Sequence, residues 1–417
     1  MKDPPTLRTV ERTLRIAILL NPFDLAVKGG EYAPQLAREL LGRGHYLRGF
    51  GAPPGVIPRS GGDAAPGGGE LKPEAPGVVG FRPDVVVAYD ALSPAAFLGA
   101  RAARKLDAPL VLIEAGSSAG GSRTTRLLRW IGERLWGVFV RRRASAVVVL
   151  DPVARAQSLG EGFAEDLIRV LPAGVDLGSF RPGLTSSFVR RHRIVGRLLL
   201  YVGKLSQDRG LQELIDAFAR TVGQAHDWNL VLAGDGPTRS RQALRAQVSR
   251  LGIGASVHWL PTPSVEELPG LMGSATLLAV PAVDDRVRGI HIPRALACGL
   301  PVLASRLPRF EGLLEDDGSG LLVEPGSVQA WSAAIVRAAG APMARKRWSQ
   351  RAREIAEDRL DWAVVAEGFE EILLEAVDGR PPGAGAGESP AAALASPPEA
   401  ASLGDSLGGD LHQGRSA

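Results

Sequence analysis

Short apolar runs rich in Val, Leu and Ile alternate along the chain with stretches whose apolar positions recur at helical spacing. Leu14–Asn21, Val85–Asp90, Pro109–Glu114, Ala146–Asp151 and Ile168–Val175 read as parallel strands buried on both faces. Tyr32–Gly42 and Pro94–Leu106 between them read as helices. The pattern restarts with Leu198–Lys204, Asn229–Gly234, Ser256–Leu260, Ala275–Pro281 and Pro301–Ser305. This alternation, run twice, predicts an α/β protein of two doubly wound domains. The break at Phe180–Pro182 marks the joint, so the domains are expected at 15–180 and 183–361. In such sheets ligands bind beyond the carboxyl ends of the strands, which places the chemistry in the following loops, in a cleft between the domains.

Composition changes this picture only at the edges. The 417 residues include 51 Gly and 31 Pro, and these concentrate. Gly51–Gly80 holds nine Gly, six Pro and no aromatic residue, and reads as a low-complexity loop. Residues 1–14 read as a flexible start, and the Gly, Ala, Pro and Ser of 380–417 as a disordered tail, since neither buries enough apolar surface to offset chain entropy. A net charge of +4 is too mild to point to nucleic acid. A single cysteine, Cys298, excludes an intrachain disulfide and a cysteine metal cage. The apolar run near the start is short and reads as a strand rather than a signal peptide or membrane span, so a cytoplasmic protein is expected.

Two loops carry candidate chemistry. Gly29 and Gly30 follow the first strand and precede a helix, where backbone amides can approach an anion; an ordinary loop gives the same pattern. In YVGKLSQDRGLQELIDAFAR, Lys204 and Arg209 flank a turn at a strand-to-helix crossover. Two such cations suit a diphosphate, Arg as a fork and Lys as a point charge; two solvated surface charges are the alternative.

That segment, followed in order by LVLAGDGP, ALACGLPVLAS and DDGSGLLVEPG, resembles the C-terminal domain of family 4 retaining glycosyltransferases. GGEYAPQLARELLGRGH, RPDVVVAYDALSPAA and VLPAGVDLGSFRP resemble the same family's first half. The resemblance covers roughly residues 15–378. It implies the GT-B arrangement of two Rossmann-like domains, retaining transfer from a nucleoside-diphosphate sugar to a glycan, lipid or small-molecule acceptor, and neither metal nor cofactor. It makes Trp362–Val377 (362–378) a closing helix that crosses back onto the first domain. Lys204 and Arg209 stand where the family contacts the donor diphosphate and would stabilise the leaving group. Gly29 and Gly30 match its glycine loop, and Gly289 and Ile290 the helix start that meets the phosphates. Asp235, Gly236, Trp259 and Leu260 match loops near the base.

Three positions depart from the family. Aligned through Ala297-Cys298-Gly299, its two glutamates fall on Arg286 and Arg294. The first would help hold the transferred sugar and the second would accept from the ribose diol. Arginine accepts no hydrogen bond, and a lost charged one costs about 1.5–3 kcal/mol. A one-residue shift would bring Asp285 into the first role. Two guanidiniums in place of two carboxylates, beside Lys204 and Arg209, predict an anion-selective site. The family's first-domain histidine is also absent from Ile113-Glu114-Ala115-Gly116, and Glu114 is expected to point to the other face. These departures motivate an alternative: a catalytically inactive GT-B binding protein that acts as a partner or regulator.

The histidines do not fill the gap. His291, beside Gly289, is expected to make a structural hydrogen bond, and His45 to sit as a positive group at a helix end. Asp284-Asp285 is expected to be a solvated pair rather than a metal site. Within Ser122–Arg143, Leu127, Leu128, Ile131, Leu135, Val138 and Phe139 form an apolar stripe amid arginines. The stripe reads as the inner face of a core-packed helix; the alternative is an interfacial helix at the inner face of a membrane.

Overall fold

The computed structural model describes residues 12–20, 32–51, 76–115, 130, 132–221 and 227–379. Gly29, Gly30, residues 122–129 and 131 of the arginine-rich stretch, and the 380–417 tail lie outside them. The first unit contains β1 (Arg15–Leu19), α1 (Tyr32–Gly42), β2 (Tyr46–Phe50), α2 (Pro76–Phe81), β3 (Val85–Tyr89), α3 (Pro94–Leu106), β4 (Leu110–Glu114), α4 (Val138–Arg143), β5 (Ala144–Val149), α5 (Pro152–Gly160) and β6 (Ile168–Val170). The second contains α6 (Ser187–Arg191), β7 (Arg197–Val202), α7 (Leu211–Arg220), β8 (Trp228–Ala233), α8 (Thr238–Arg250), β9 (Val257–Leu260), α9 (Leu268–Ser274), β10 (Leu277–Val280), α10 (Ile292–Ala297), β11 (Val302–Ser305), α11 (Pro308–Glu311), β12 (Gly320–Val323), α12 (Val328–Gly340) and α13 (Pro342–Ile355); α14 (Trp362–Val377) closes the described chain.

Each unit is built on a parallel six-stranded sheet, ordered β2-β1-β3-β4-β5-β6 in the first and β12-β11-β10-β7-β8-β9 in the second. Successive strand residues serve opposite cores. In β1, Ile16 and Ile18 join a cluster with Leu36 of α1 and with Val365 and Phe369 of α14, whereas Ala17 and Leu19 pack with Ala96 and Ala100 of α3. This two-sided burial is why the strands read as continuous apolar runs. The small α3 residues let the helix lie close: a Cβ on Gly99 would stand 3.4 Å from Ala88 Cβ.

Several sequence expectations shift. β2 and β12 lie at sheet edges, and neither carries the long apolar run of an inner strand. β6 stops at Val170, well short of the expected Val175, just ahead of Pro172, which cannot donate to a ladder. The supposed low-complexity loop ends in a helix, α2, because Val78 is fully buried and Gly77 fits against the Phe50 ring. The apolar stripe is also out of phase. A π-turn at Glu133–Gly137 adds a residue to the helical repeat, so Trp136, Phe139 and Val140 face α3 while Leu135 and Val138 are exposed.

α14 leaves the second unit and packs on the first sheet, where Trp362, Val365, Phe369 and Leu373 are buried. A three-way polar contact fastens it. Glu370 accepts from Arg43 Nε (2.5 Å) and lies 2.9 Å from His45 Nε2, and His45 Nδ1 accepts from the Leu14 amide at 3.1 Å. His45 is therefore not a cation serving a helix dipole. Burial is the main cause that lowers its pKa, and the Leu14 amide requires an unprotonated Nδ1. The two units also meet directly. Asp151 caps α5 through Oδ1, and its Oδ2 takes a 2.6 Å bond from Arg309 of α11, both side chains being nearly buried.

Candidate active site

The carboxyl ends of β7, β8 and β10 converge, and glycines let their loops touch backbone to backbone. A Cβ on Gly210 would stand 1.7 Å from the Pro281 carbonyl oxygen, on Gly234 1.8 Å from that of Gly203, and on Gly236 2.1 Å from that of Leu205. No side chain fits these gaps. Amide bonds lace the same loops: Gly203 N to Ala233 O (3.0 Å) and Leu205 N to Asp235 O (2.8 Å). The result is a rigid platform that carries Lys204, Arg209, Asp235 and Gly236 against 281–286.

Lys204 is exposed, and its carbonyl accepts from the Tyr201 hydroxyl at 2.9 Å. Arg209 ends a short 3-10 turn and is mostly buried; its Nε is fully buried without a hydrogen-bond partner, 3.7 Å from Asp208. Asp208 is held below the usual carboxylate range chiefly by the Ser206 hydroxyl. Asp235 accepts from the Gly236 amide (2.8 Å) and pairs with Arg241 (3.0 Å). Trp259 and Leu260 are integral to β9. The Arg245 guanidinium stacks 5.2 Å over the Trp259 ring, which packs toward α7 and α8, while Leu260 enters the opposite core.

The loop after β10 uses its charges differently from the sequence expectation. Arg286 folds back on Asp284, giving bonds of 2.7 and 2.6 Å to one carboxylate oxygen while its amide binds the other at 3.0 Å. Asp284 thus offsets Arg286 locally, and its pKa is lowered first by that bond and less by the charge of Arg209. The pair is not simply solvated: Asp285 Oδ1 is buried and has no partner. Arg294, on α10, lies 5.6 Å over the Phe180 ring at the interdomain joint. The expected pooling of both arginines with Lys204 and Arg209 is therefore reduced to an Asp-neutralised Arg286 and an aromatic-stacked Arg294.

Gly289 has φ +62°, a conformation that favours glycine, and Phe310 fills the space where a side chain would stand, with Cε1 2.5 Å from an added Cβ. Ile290 beside it is exposed. His291 lacks the expected structural bond at Nδ1, which is buried and partnerless. Burial, then Arg294, pushes its pKa down to about 3, so the ring is neutral. Glu114 is buried at the sheet's carboxyl end, where Oε1 accepts from the Ala91 amide at 2.6 Å. The Asp151–Arg309 contact was missed by sequence reasoning; an Asp-Pro cap after a strand is its local trace.

The family described as Glycosyl transferases group 1 matches residues 189–355, and the Glycosyl transferase 4-like domain matches 37–174. The chain belongs to the family 4-type glycosyltransferases. Curated relatives of this chain include D-inositol 3-phosphate glycosyltransferase from Segniliparus rotundus, 29% identical over 53% of this chain and 50% of that protein. Another is GDP-mannose:cellobiosyl-diphosphopolyprenol alpha-mannosyltransferase from Xanthomonas oryzae, 27% identical over 45% and 48%. The chain thus spans about half the length of the curated relatives it matches. Among solved structures, Anabaena HepE in complex with UDP-glucose matches with a TM-score of 0.65 and 22% identity over 87% of this chain and all of that one. Sucrose-phosphate synthase from Thermosynechococcus elongatus matches with 0.64 and 20% over 88% and 100%. These neighbours establish the GT-B fold of the chain.

Proposed function

We propose that the protein transfers a sugar from a nucleoside-diphosphate donor, with retention, to a glycan, lipid or small-molecule acceptor. The observation that carries this reading is the set of buried, partnerless polar atoms around the platform: Arg209 Nε, Asp285 Oδ1 and His291 Nδ1. Buried polar groups are costly unless hydrogen-bonded, and these three lie in the loops that follow β7 and β10, beside the exposed cation of Lys204. Lys204 and Arg209 take the charge that develops on the leaving diphosphate, through preorganised cations that need not reorganise during reaction. Asp285 accepts from a hydroxyl of the transferred sugar, in place of a glutamate at position 286. Neutral His291 bonds a donor atom without adding charge. The donor is the co-substrate, and the reading needs neither a resident cofactor nor a metal. The HepE structures in complex with UDP and with UDP-glucose support a nucleotide-sugar donor.

Calorimetry with UDP, GDP and their sugars tests the donor, followed by an assay of transfer or donor hydrolysis. Absence of binding by any nucleoside diphosphate overturns the reading. A second reading is favoured by the two arginines themselves, which accept no hydrogen bond from a ribose diol; Arg286 lies on Asp284 and Arg294 over Phe180. In that reading the protein binds a diphosphate but transfers nothing; binding without turnover on any donor selects it.

A further inference from the structure

We propose that an exposed face around α4 docks the first domain on an anionic lipid surface. Nine large apolar side chains are exposed among the described residues, and Trp130, Leu135 and Val138 of this short segment are three of them. Their exposures are 62%, 70% and 51%. They cannot turn inward, because the inner side of the segment is already seated. Trp136 and Phe139 lie 5.7 and 5.9 Å from the Phe97 ring of α3, and Val140 is fully buried. Arg143 reaches two carbonyls near the end of α3, those of Ala103 (3.2 Å) and Ala108 (2.9 Å). A Cβ on Gly132 would stand 2.7 Å from the Leu92 carbonyl oxygen, so the backbone is pressed against the body of the domain.

The charges on this face select the occupant. Arg134 and Arg142 are exposed and, among the described residues, form no ion pair. Arg101, Arg104 and Lys105 extend the basic rim along the exposed side of α3. The local acids are few. Glu133 is taken by Arg141 at 2.5 Å, and Asp107 stands 3.9 Å from Arg143. Positions 130, 134, 135, 138 and 142 are the exposed ones among the described residues of this segment, so Trp, Leu and Val stand among arginines. Apolar side chains that enter the acyl boundary while cations meet headgroups are the pattern of an interfacial anchor. Among the described residues no helix is long and apolar enough to cross a membrane, so the contact lies on the surface of the bilayer.

The test is co-sedimentation of the full chain with vesicles of phosphatidylcholine alone and with added phosphatidylglycerol. The protein is expected to pellet with the anionic vesicles and to be released as salt rises. Trp130→Ser with Leu135→Ser and Val138→Ser should lower partitioning by at least about tenfold, from the apolar area lost. Arg134→Ser with Arg142→Ser should lower it about 25-fold on anionic vesicles, roughly fivefold per arginine, and not at all on neutral ones. An unchanged melting temperature in both variants shows that the fold is intact. Three results overturn the proposal: no pelleting of the wild type at low salt, equal pelleting of the triple serine variant, or loss of self-association or of RNA binding in that variant with vesicle binding unaffected.

Discussion

His45 and His291 are both held neutral by burial, yet their surroundings differ in kind. His45 has a donor on one ring nitrogen and a carboxylate on the other, and Arg43 completes the Glu370 contact. His291 leaves Nδ1 buried and unbonded, in a loop whose neighbour Asp285 has the same deficit. A network complete within the protein holds structure. A deficit repeated along adjoining loops points to atoms that arrive with a ligand. The first region should therefore break as stability and the second as binding.

The sharpest break is Glu370→Ala. It strands the buried His45 and Arg43 and frees α14 from the first domain, so unfolding should become easier by about 3–5 kcal/mol, read by urea titration. Little or no loss would mean that the apolar face of α14 suffices. Arg209→Ala should act on binding alone, weakening a nucleoside diphosphate by about 1.5–3 kcal/mol in calorimetry and a monophosphate far less. Equal losses for the two would remove Arg209 from the distal phosphate.

Acid should expose both histidines through a common sign. Each has a folded pKa below its unfolded value, so the unfolded chain binds more protons and stability falls as pH drops below about 6.5. For His291 the decline continues toward its folded value of about 3. Each contributes at most about 1.4 kcal/mol per pH unit within its window. His291→Leu should remove about one proton from the acid slope of the unfolding free energy. The same substitution should change stability at neutral pH least of all, by within about 0.5 kcal/mol, because it deletes an unsatisfied nitrogen rather than a bond. A large neutral-pH loss would show that His291 is structural after all.

How far the sequence reached depended on the range of the interaction. The inner strands were legible because burial on both faces writes itself into consecutive residues such as Val85–Ala88. YVGK and AGDGP stood out in the sequence as family motifs; that Gly234 and Gly236 admit carbonyls about 2 Å from where a Cβ would stand is seen in the structure alone. The His45–Glu370 contact joins residues 325 positions apart, and nothing beside either announces the other. Asp284 and Arg286 are two residues apart, yet their pairing depends on a turn that spacing does not specify. In the described part of the apolar stripe, Leu135 and Val138 were misplaced for a different reason: the phase assumed 3.6 residues per turn across a π-turn.

The chain passes between the two domains twice, once near Phe180 and once just before Trp362, and the passages run side by side. The Val175 amide binds the Leu360 carbonyl at 2.7 Å, and Val175 pairs with Asp361 in a short parallel bridge. The Trp362 ring presses on Gly174, leaving no room for even a methyl group there. Two adjacent pins define one axle. Swinging about that line disturbs little covalent geometry, whereas sliding or twisting would shear both passages together. The Asp151–Arg309 bond is a separate tie between the domains, like a bolt on a gate, so Asp151→Asn should loosen the swing without unhanging either leaf.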